Sequence, residues 1–225
     1  MDSNKIKQII KDMGATLCGI APIHRFSEAP EGFHPTDIYN DCESVIVFAK
    51  RVPSESLFAR NCVPYTFVND VVTQKVDHLT VTICMALEKL GVKVVPIPSD
   101  DPYEHWEPER SYGRAILSMR HAGYLAGLGV LGKNTLLANK ELGNMIQLGA
   151  ILTSLELEGD LIANYEHCPP NCSLCIDNCP AKALDGTTVN QKLCRPLSIF
   201  VTKKGYNLKK CNICRRICPH LLGLK

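Results

Sequence analysis

Eight of the twelve cysteines in this 225-residue chain lie in its last third, in two closely spaced motifs and at one position between them. The first motif reads Cys168-Pro-Pro-Asn-Cys172-Ser-Leu-Cys175-Ile-Asp-Asn-Cys179-Pro, and the second reads Cys211-Asn-Ile-Cys214-Arg-Arg-Ile-Cys218-Pro. A CxxC turn sets two thiolates side by side, and a following CxxxCP step passes the last cysteine to the other cluster of a pair. The repeated spacing therefore predicts two [4Fe–4S] clusters.

Zinc is the rival occupant of such a region, because zinc ribbons also use paired CxxC motifs. The doubled CxxCxxxCP pattern favours iron–sulfur clusters over zinc. The second motif lacks a leading cysteine, and Cys194 is the nearby candidate for that position. Three residues rather than two separate Cys168 from Cys172, which departs from the bacterial ferredoxin pattern. The crossing rule assigns one cluster to Cys168, Cys172, Cys175 and Cys218, and the other to Cys179, Cys194, Cys211 and Cys214.

The other four cysteines are isolated along the chain and are expected to be small buried hydrophobes: Cys18, Cys42, Cys62 and Cys84. A chain that must deliver eight reduced thiolates belongs in a reducing compartment, so disulfides are not expected. Neither a signal peptide nor an apolar run of membrane-spanning length is visible in the sequence. These features together predict a soluble, cytoplasmic protein from a low-oxygen setting, with no membrane partner.

Charge is distributed unevenly, although the net charge is only +2. From Pro180 onward Asp185 is the single acid, against ten Lys or Arg: Lys182, Lys192, Arg195, Lys203, Lys204, Lys209, Lys210, Arg215, Arg216 and Lys225. The simpler interpretation, which the interspersed pattern favours, is that these cations offset the negative charge of the clusters. The alternative is a docking face for an acidic electron donor or for a nucleic-acid backbone.

The first two thirds of the chain alternate between helical and strand patterns. A helix is expected behind Asp2 and Ser3 and is stopped by Gly14. The remaining predicted elements are strands at 17–20, 45–49 and 92–97, helices at 69–90 and 114–126, and a long strand or hairpin at 143–157. This order predicts an α/β or α+β layer domain over residues 1–164, followed by a cluster domain over residues 165–225.

A glycine-rich segment follows the last of these predicted helices. Gly127, Gly129 and Gly132 would let the backbone approach a ligand closely, and Lys133 and Asn134 would offer donors to it. The GxGxxG pattern needs a preceding strand to be a dinucleotide fingerprint, and a helix precedes it here, so a Rossmann fold is rejected. The structural alternative is a tight turn whose glycines serve packing alone.

The run AGLGVLGKNTLL, the strand LGAILTSLELE and the two CxxCxxxCP motifs together resemble the epoxyqueuosine reductase family. The segments ATLCGIAP and ESVIVFAK near the start of the chain fit the same family, and the cobalamin-dependent reductive dehalogenases share part of the arrangement. The resemblance implies a nitroreductase-like α/β domain that holds a corrinoid, followed by a ferredoxin-like domain with two cubanes. It also implies that electrons enter through the clusters and reduce the cobalt of the corrinoid.

The resemblance suggests functional residues outside the cysteine motifs as well. Asp100 or Asp101 would be the catalytic proton donor, although aspartates before a proline are often turn formers. The segment 99–106, polar and aromatic, stands where the family has a short acidic motif. A form without the helical-repeat extension of many members is expected, since the sequence runs to Lys225. The expected cofactor contacts come from the helix and glycine segment, namely His121, Gly127, Gly129, Gly132, Lys133 and Asn134. For His121, a purely structural histidine is the alternative.

Three functions follow from this pattern. The first, which the sequence favours, is a corrinoid-dependent reductase or corrinoid reductant, with a low-potential ferredoxin or flavodoxin as donor and a corrinoid or small molecule as acceptor. The second is a ferredoxin-type electron carrier, which would not need some 165 additional residues. The third is reduction of epoxyqueuosine in tRNA, which the missing extension and the acidic first domain disfavour and the basic cluster domain supports.

Overall fold

The computed structural model describes residues 1–102 and 104–224, and it has a mixed α/β fold. The helices are α1 Ser3–Asp12, α2 Pro35–Ile38, α3 Val63–Glu88, α4 Met119–Leu125, α5 Leu174–Asp177, α6 Gln191–Ser198 and α7 Ile213–Arg216. The strands are β1 Leu17–Pro22, β2 Ser44–Arg51, β3 Val94–Ile97, β4 His105–Glu107, β5 Tyr112–Arg114, β6 Val130–Leu131, β7 Leu137–Ala138, β8 Ile146–Thr153, β9 Ile199–Val201 and β10 Asn207–Lys209.

A four-stranded antiparallel sheet in the order β1-β2-β8-β3 forms the centre of the molecule. Successive side chains of β2 enter different cores, as the pleat of a strand requires. Ile46 and Phe48 pack with α1 and α3, whereas Val45 and Val47 pack with residues of α4 and the segment after it. The apolar run of β2 is therefore covered on both faces, as its sequence predicted.

The sequence patterns predicted most of the helix ends in this part of the chain. The side chain of Asp2 accepts a hydrogen bond from the Lys5 amide at 2.9 Å and begins α1, and Gly14 follows that helix with a φ of +103°. The long predicted helix begins at Val63 rather than at residue 69, because Pro64 is well suited to a first helical turn. Gly91, with a φ of +79°, follows the C-terminal end of this helix, as expected.

The helix predicted at 114–126 is wrong in its first half. Residues 112–114 form β5, which pairs with β4, and the helix occupies only Met119–Leu125. Arg114 extends over the rings of Phe33 and Tyr112, at 5.7 and 5.3 Å from their centroids. These tertiary contacts override the local helical pattern. The segment predicted at 143–157 as a strand or a hairpin is a single strand, Ile146–Thr153.

The chain after β8 contains short helices, irregular segments and the two-stranded β9–β10 hairpin. Its last residues return to the first part of the molecule: Leu221 packs in a buried cluster with Val52, Tyr65 and Met145. The Asn144 amide also donates to the Leu221 carbonyl at 3.2 Å. The two predicted domains thus share part of their core, and the boundary between residues 164 and 165 stays a prediction. Among the described residues, the longest helices are too short or too polar to cross a membrane.

Candidate metal centre

One group of cysteines surrounds a single pocket. Cys168, Cys172, Cys175 and Cys218 line it. Three of these residues come from the first motif and one from the end of the second, because α5 and α7 pack against each other. The pocket brings together the four cysteines that the crossing rule predicted for one cluster.

The remaining four cysteines of the motifs form a second group. Burial first, and then the neighbouring thiols of Cys194, Cys211 and Cys179, raise the pKa of Cys214 to about 11. The pKa of Cys194 is raised by burial first, and then by Cys211 and Cys179. Cys194 and Cys214 also pack against the buried cluster that contains Cys179. The members of this second group are again those that the crossing rule predicted.

Backbone amides point at sulfurs in both groups. The Lys133 amide donates to Cys168 Sγ at 3.4 Å, and the Ala183 amide donates to Cys179 Sγ at 3.3 Å. The buried His167 places Nε2 at 3.6 Å from Cys218 Sγ. Hydrogen bonds of this kind stabilise a thiolate and influence the reduction potential of a cluster that it ligates.

The donor chemistry of the two groups fits iron–sulfur clusters. Burial raises the pKa of Cys175, Cys214 and Cys218, so a thiolate at these positions is favoured only beside a cation. Iron in a cluster supplies that positive charge. Within residues 1–102 and 104–224, no three His, Cys, Asp or Glu side chains form a group that could hold a single metal ion.

Lys133 and Asn134 connect the glycine segment to the cysteine motifs. Lys133 Nζ donates to the Cys172 carbonyl at 2.9 Å, and Asn134 Nδ2 donates to the Cys214 carbonyl at 3.1 Å. Asn134 is buried, with 4% of its surface exposed. The two donors that the sequence assigned to a cofactor therefore reach one cysteine loop each, and their contact with a corrinoid stays a prediction.

The glycines of the same segment lie against other atoms of the protein itself. A Cβ atom at Gly127 would be 2.3 Å from the Leu161 carbonyl oxygen, and one at Gly129 would be 2.3 Å from the Ala138 carbonyl oxygen. At Gly132, a Cβ atom would be 2.8 Å from Asn134 Oδ1. These approaches give the glycines a packing role, and cofactor binding by them stays a prediction.

His121, Asp100 and Asp101 are not among the residues that line the cysteine pocket. His121 is exposed, its Nδ1 shares a 2.7 Å hydrogen bond with Ser118 Oγ, and partial burial of the ring lowers its pKa. Asp100 follows β3 in an exposed loop. The pKa of its carboxyl group is raised overall, because partial burial raises it by more than the nearby Lys209 lowers it. Asp101 is exposed beside it, and Tyr103 of the same loop lies outside the described residues. Catalysis by either aspartate stays a prediction.

Contact between the β4–β5 hairpin and the cysteine region was not predicted from the sequence. Gly113 and Gln191 exchange two hydrogen bonds of 3.1 Å, and the Arg195 guanidinium lies 5.0 Å from the centre of the Trp106 ring. Gln191 and Arg195 belong to α6, which also carries Cys194. The aromatic loop through Trp106 was noticeable as a motif, but its partner lies some ninety positions further along the chain.

Comparisons with known proteins connect this arrangement to reductases. The chain matches no protein-family model. The epoxyqueuosine reductase of Lactococcus garvieae is 36% identical over 111 residues, which cover 44% of this chain and 30% of that protein. The enzyme of the same name from Staphylococcus aureus is 32% identical over 121 residues, or 48% of this chain and 31% of that protein. The matches thus span less than a third of either relative.

Solved structures match over nearly the whole chain. Epoxyqueuosine reductase from Streptococcus thermophilus has a TM-score of 0.67 at 19% identity, covering 98% of this chain and 66% of that one. The catabolic reductive dehalogenase NpRdhA has a TM-score of 0.71 at 15% identity, covering 96% of this chain and 31% of that one. A further epoxyqueuosine reductase, crystallised with a tRNA stem loop, has a TM-score of 0.63 at 18% identity, covering 96% of this chain and 64% of that one.

The chain therefore has the mixed α/β fold that epoxyqueuosine reductases and reductive dehalogenases share. Over part of its length the sequence is related to the epoxyqueuosine reductases, and the fold is similar to that of the reductive dehalogenases.

Proposed function

We propose that this chain is an iron–sulfur oxidoreductase that passes electrons through two [4Fe–4S] clusters to an acceptor held by its α/β part. The observation that carries the proposal is the separation of eight cysteines into two groups of four, each drawn from both motifs. Interleaving of this kind is the pattern of two-cluster ferredoxins. The reductase relatives support an oxidoreductase rather than a structural zinc protein.

The ligands in this proposal are the two cysteine groups described above. When bound, the clusters would supply one-electron transfer at low potential. The amides of Lys133 and Ala183 would stabilise the sulfurs of Cys168 and Cys179, and the Lys133 ammonium would offset negative charge. Apolar side chains packed around Cys175 and Cys179, among them Leu184 and Ile176, would limit access of water.

The acceptor that we favour is a corrinoid. The fold shared with reductive dehalogenases supports it, because one such neighbour is described as dehalogenating by a B12-dependent mechanism. An acceptor held by the helix and glycine segment would lie close to the cysteine loops, since Lys133 and Asn134 join the two. Asp100, whose carboxyl group has a raised pKa, is the proposed proton donor, with Asp101 beside it.

Reduction of epoxyqueuosine in tRNA is the second candidate. The names of the sequence relatives favour it, as does the neighbour crystallised with a tRNA stem loop. In this case the same clusters and the same acceptor site would act on a modified nucleoside. A ferredoxin-type carrier without its own catalysis is the third candidate, and it requires that no acceptor binds to the α/β part.

Metal analysis tests the clusters. Protein purified without oxygen is expected to be brown and to hold about eight iron and about eight acid-labile sulfide per chain, because two cubanes require them. The measurement is a colorimetric iron and sulfide assay, paired with elemental analysis for zinc. Stoichiometric zinc without sulfide would show that the proposal is wrong.

Addition of cob(II)alamin to the dithionite-reduced protein tests the acceptor. Binding at micromolar concentration, followed by the absorption changes of cobalt reduction, would support a corrinoid site. Conversion of epoxyqueuosine-containing tRNA by the loaded protein would favour the second candidate. If the clusters are intact but the protein neither binds a corrinoid nor converts the tRNA, the remaining candidate function is the ferredoxin-type electron carrier.

Lys133→Gln is expected to lower the reduction potential of the cluster held by the first cysteine group. The substitution removes a positive charge that lies beside Cys172 but keeps the backbone amide that donates to Cys168. Because a nearby cation stabilises the reduced, more negative cluster, we expect a shift of some tens of millivolts. A redox titration followed by electron paramagnetic resonance measures it. Lys140→Gln, at an exposed position of the same region, is the matched control and should leave both potentials unchanged.

A further inference from the structure

Residues 191–210 form one continuous unit of α6, β9 and β10, which we call the basic hairpin unit. Its two strands are antiparallel, with Ile199 opposite Lys209. The Lys209 amide donates to Thr66 Oγ1 at 2.9 Å, which fixes the unit to the first part of α3. The sequence from residue 186 to the end of the chain contains no aspartate or glutamate. The unit is thus a cationic projection anchored on the α/β part.

Large apolar side chains of this unit face solvent. Leu193 and Leu197 lie four residues apart on one face of α6, and they are 47% and 45% exposed. The exposed fractions in the hairpin are 39% for Ile199, 49% for Phe200, 58% for Val201 and 66% for Tyr206. Contiguous exposed apolar side chains rimmed by polar groups mark surfaces that bind other proteins.

Lysines surround these apolar side chains. Lys192 on α6, Lys203 and Lys204 in the turn, and Lys210 at the end of the hairpin are all exposed. Lys210 Nζ lies 5.8 Å from the centre of the Phe200 ring. The combination of exposed aliphatic groups with a rim of one sign of charge is complementary to an acidic protein.

The unit contains one member of the second cysteine group and adjoins another. Cys194 lies within α6, and Cys211 follows directly on Lys210 at the base of the hairpin. The amides of Lys210 and Cys211 both point to the Ser198 carbonyl, at 2.7 and 3.5 Å, which closes the base of the hairpin onto α6. A protein bound to this unit would therefore lie next to the second cysteine group.

We propose that the basic hairpin unit is the docking surface for a small acidic electron-carrier protein, and that electrons enter at the second cysteine group. This inference rests on the proposed function, because it requires a cluster at that group. In the step itself the reduced carrier loses one electron and the cluster gains one, with no bond made or broken. Transient redox complexes of this kind use small interfaces, which suits a unit of twenty residues.

A nucleic-acid backbone fits the unit less well than a protein does. Protein–DNA interfaces are more polar and more positively charged than protein–protein interfaces. Here the unit exposes aliphatic and aromatic side chains as well as lysines, and Val201 and Tyr206 are among the most exposed apolar residues that the structure describes. Moreover, binding of RNA at this position would give no role to the cysteines at the base of the hairpin.

The test is the rate of reduction by an acidic flavodoxin. Flavodoxin hydroquinone is mixed with the oxidised holoprotein in a stopped-flow instrument without oxygen, and the flavin absorbance reports electron transfer. The double variant Lys203→Glu with Lys204→Glu is expected to slow this reaction at low salt by at least about tenfold, since electrostatic steering accelerates association by 10–10³. Raising the ionic strength should slow the unaltered protein and leave the variant less affected.

The matched control is Lys89→Glu with Lys93→Glu, which changes the net charge equally. Both lysines are exposed and follow the far end of α3, roughly 35 Å from Thr66 at 1.5 Å per helical residue. Its rate should equal that of the unaltered protein. Iron content and reduction by dithionite are measured on every variant and report the clusters independently of docking. Absence of the clusters would count against the proposed function and not against the docking proposal.

Three results would overturn the docking proposal while the clusters are intact. The first is no reduction of the unaltered protein by flavodoxin although dithionite reduces it. The second is an equal rate in the hairpin variant, or an equal loss of rate in the control. The third is an unchanged flavodoxin rate together with lost tRNA binding in the hairpin variant, which would assign the unit to RNA.

Discussion

Replacing Cys194 with serine is expected to remove about half of the iron and sulfide from protein purified without oxygen. Cys194 belongs to the second cysteine group, with Cys179, Cys211 and Cys214. A cubane that loses one of four thiolates is destabilised, whereas the first group keeps all four of its ligands around the pocket. Iron and sulfide analysis gives the yield, and electron paramagnetic resonance of the reduced protein should show one remaining centre.

Two further variants make this result specific. Cys218→Ser should also halve the iron content, but the centre that remains should have a different spectrum, because Cys218 belongs to the first group. Cys62→Ser is the matched control, since Cys62 precedes α3 in the chain and belongs to neither group. It should retain all of the iron. Full retention in Cys194→Ser would show that the ligand assignment is wrong.

The cysteine grouping could be predicted from the sequence because the motif spacing is that of two-cluster ferredoxins. Spacings of two and three residues limit which sulfurs of one motif can face one cluster, and the ferredoxin pattern then assigns the last cysteine of each motif to the other cluster. Only Cys194 had to be placed without a motif of its own, and the structure brings it near Cys211 and Cys179. Ligation of iron by these residues remains a prediction until metal analysis is done.

The contacts of the glycine segment could not be predicted in the same way. Lys133 and Asn134 donate to carbonyls of Cys172 and Cys214, which lie 39 and 80 positions away in the chain. Periodicity and composition carry no information about such partners. The same limitation explains the error at 114–126, where pairing of β5 with β4 and the contact of Arg114 with Phe33 decide the conformation.

The second large effect is expected at Gly143, a position that holds the end of the chain against the α/β part. Gly143 has a φ of +60°, and a Cβ atom there would lie 2.1 Å from the Leu221 carbonyl oxygen and 2.4 Å from that of His220. These obstacles are backbone atoms, so rotation of a side chain cannot relieve them. Alanine at this position must therefore displace the segment that contains His220 and Leu221.

We expect Gly143→Ala to lower the free energy of unfolding by about 3 kcal/mol. The left-handed conformation costs an L-residue roughly 1–2 kcal/mol, and overpacking adds roughly 1–3 kcal/mol. Leu221 would move out of its buried cluster, and Cys218 lies only three positions before it. Part of the iron, that of the first cysteine group, should therefore be lost together with stability. Urea unfolding without oxygen, followed by circular dichroism, measures the first effect, and iron analysis measures the second.

Gly91→Ala separates the backbone strain from the steric clash. Gly91 has a φ of +79°, close to that of Gly143, but no atom lies within 4 Å of its Cβ position. Only the conformational cost of about 1 kcal/mol should appear there, with the iron content unchanged. The difference between the two variants then measures how strongly the contact with residues 220–221 stabilises the protein. Equal destabilisation in both variants, with all iron retained in Gly143→Ala, would show that this contact does not hold the cysteine region in place.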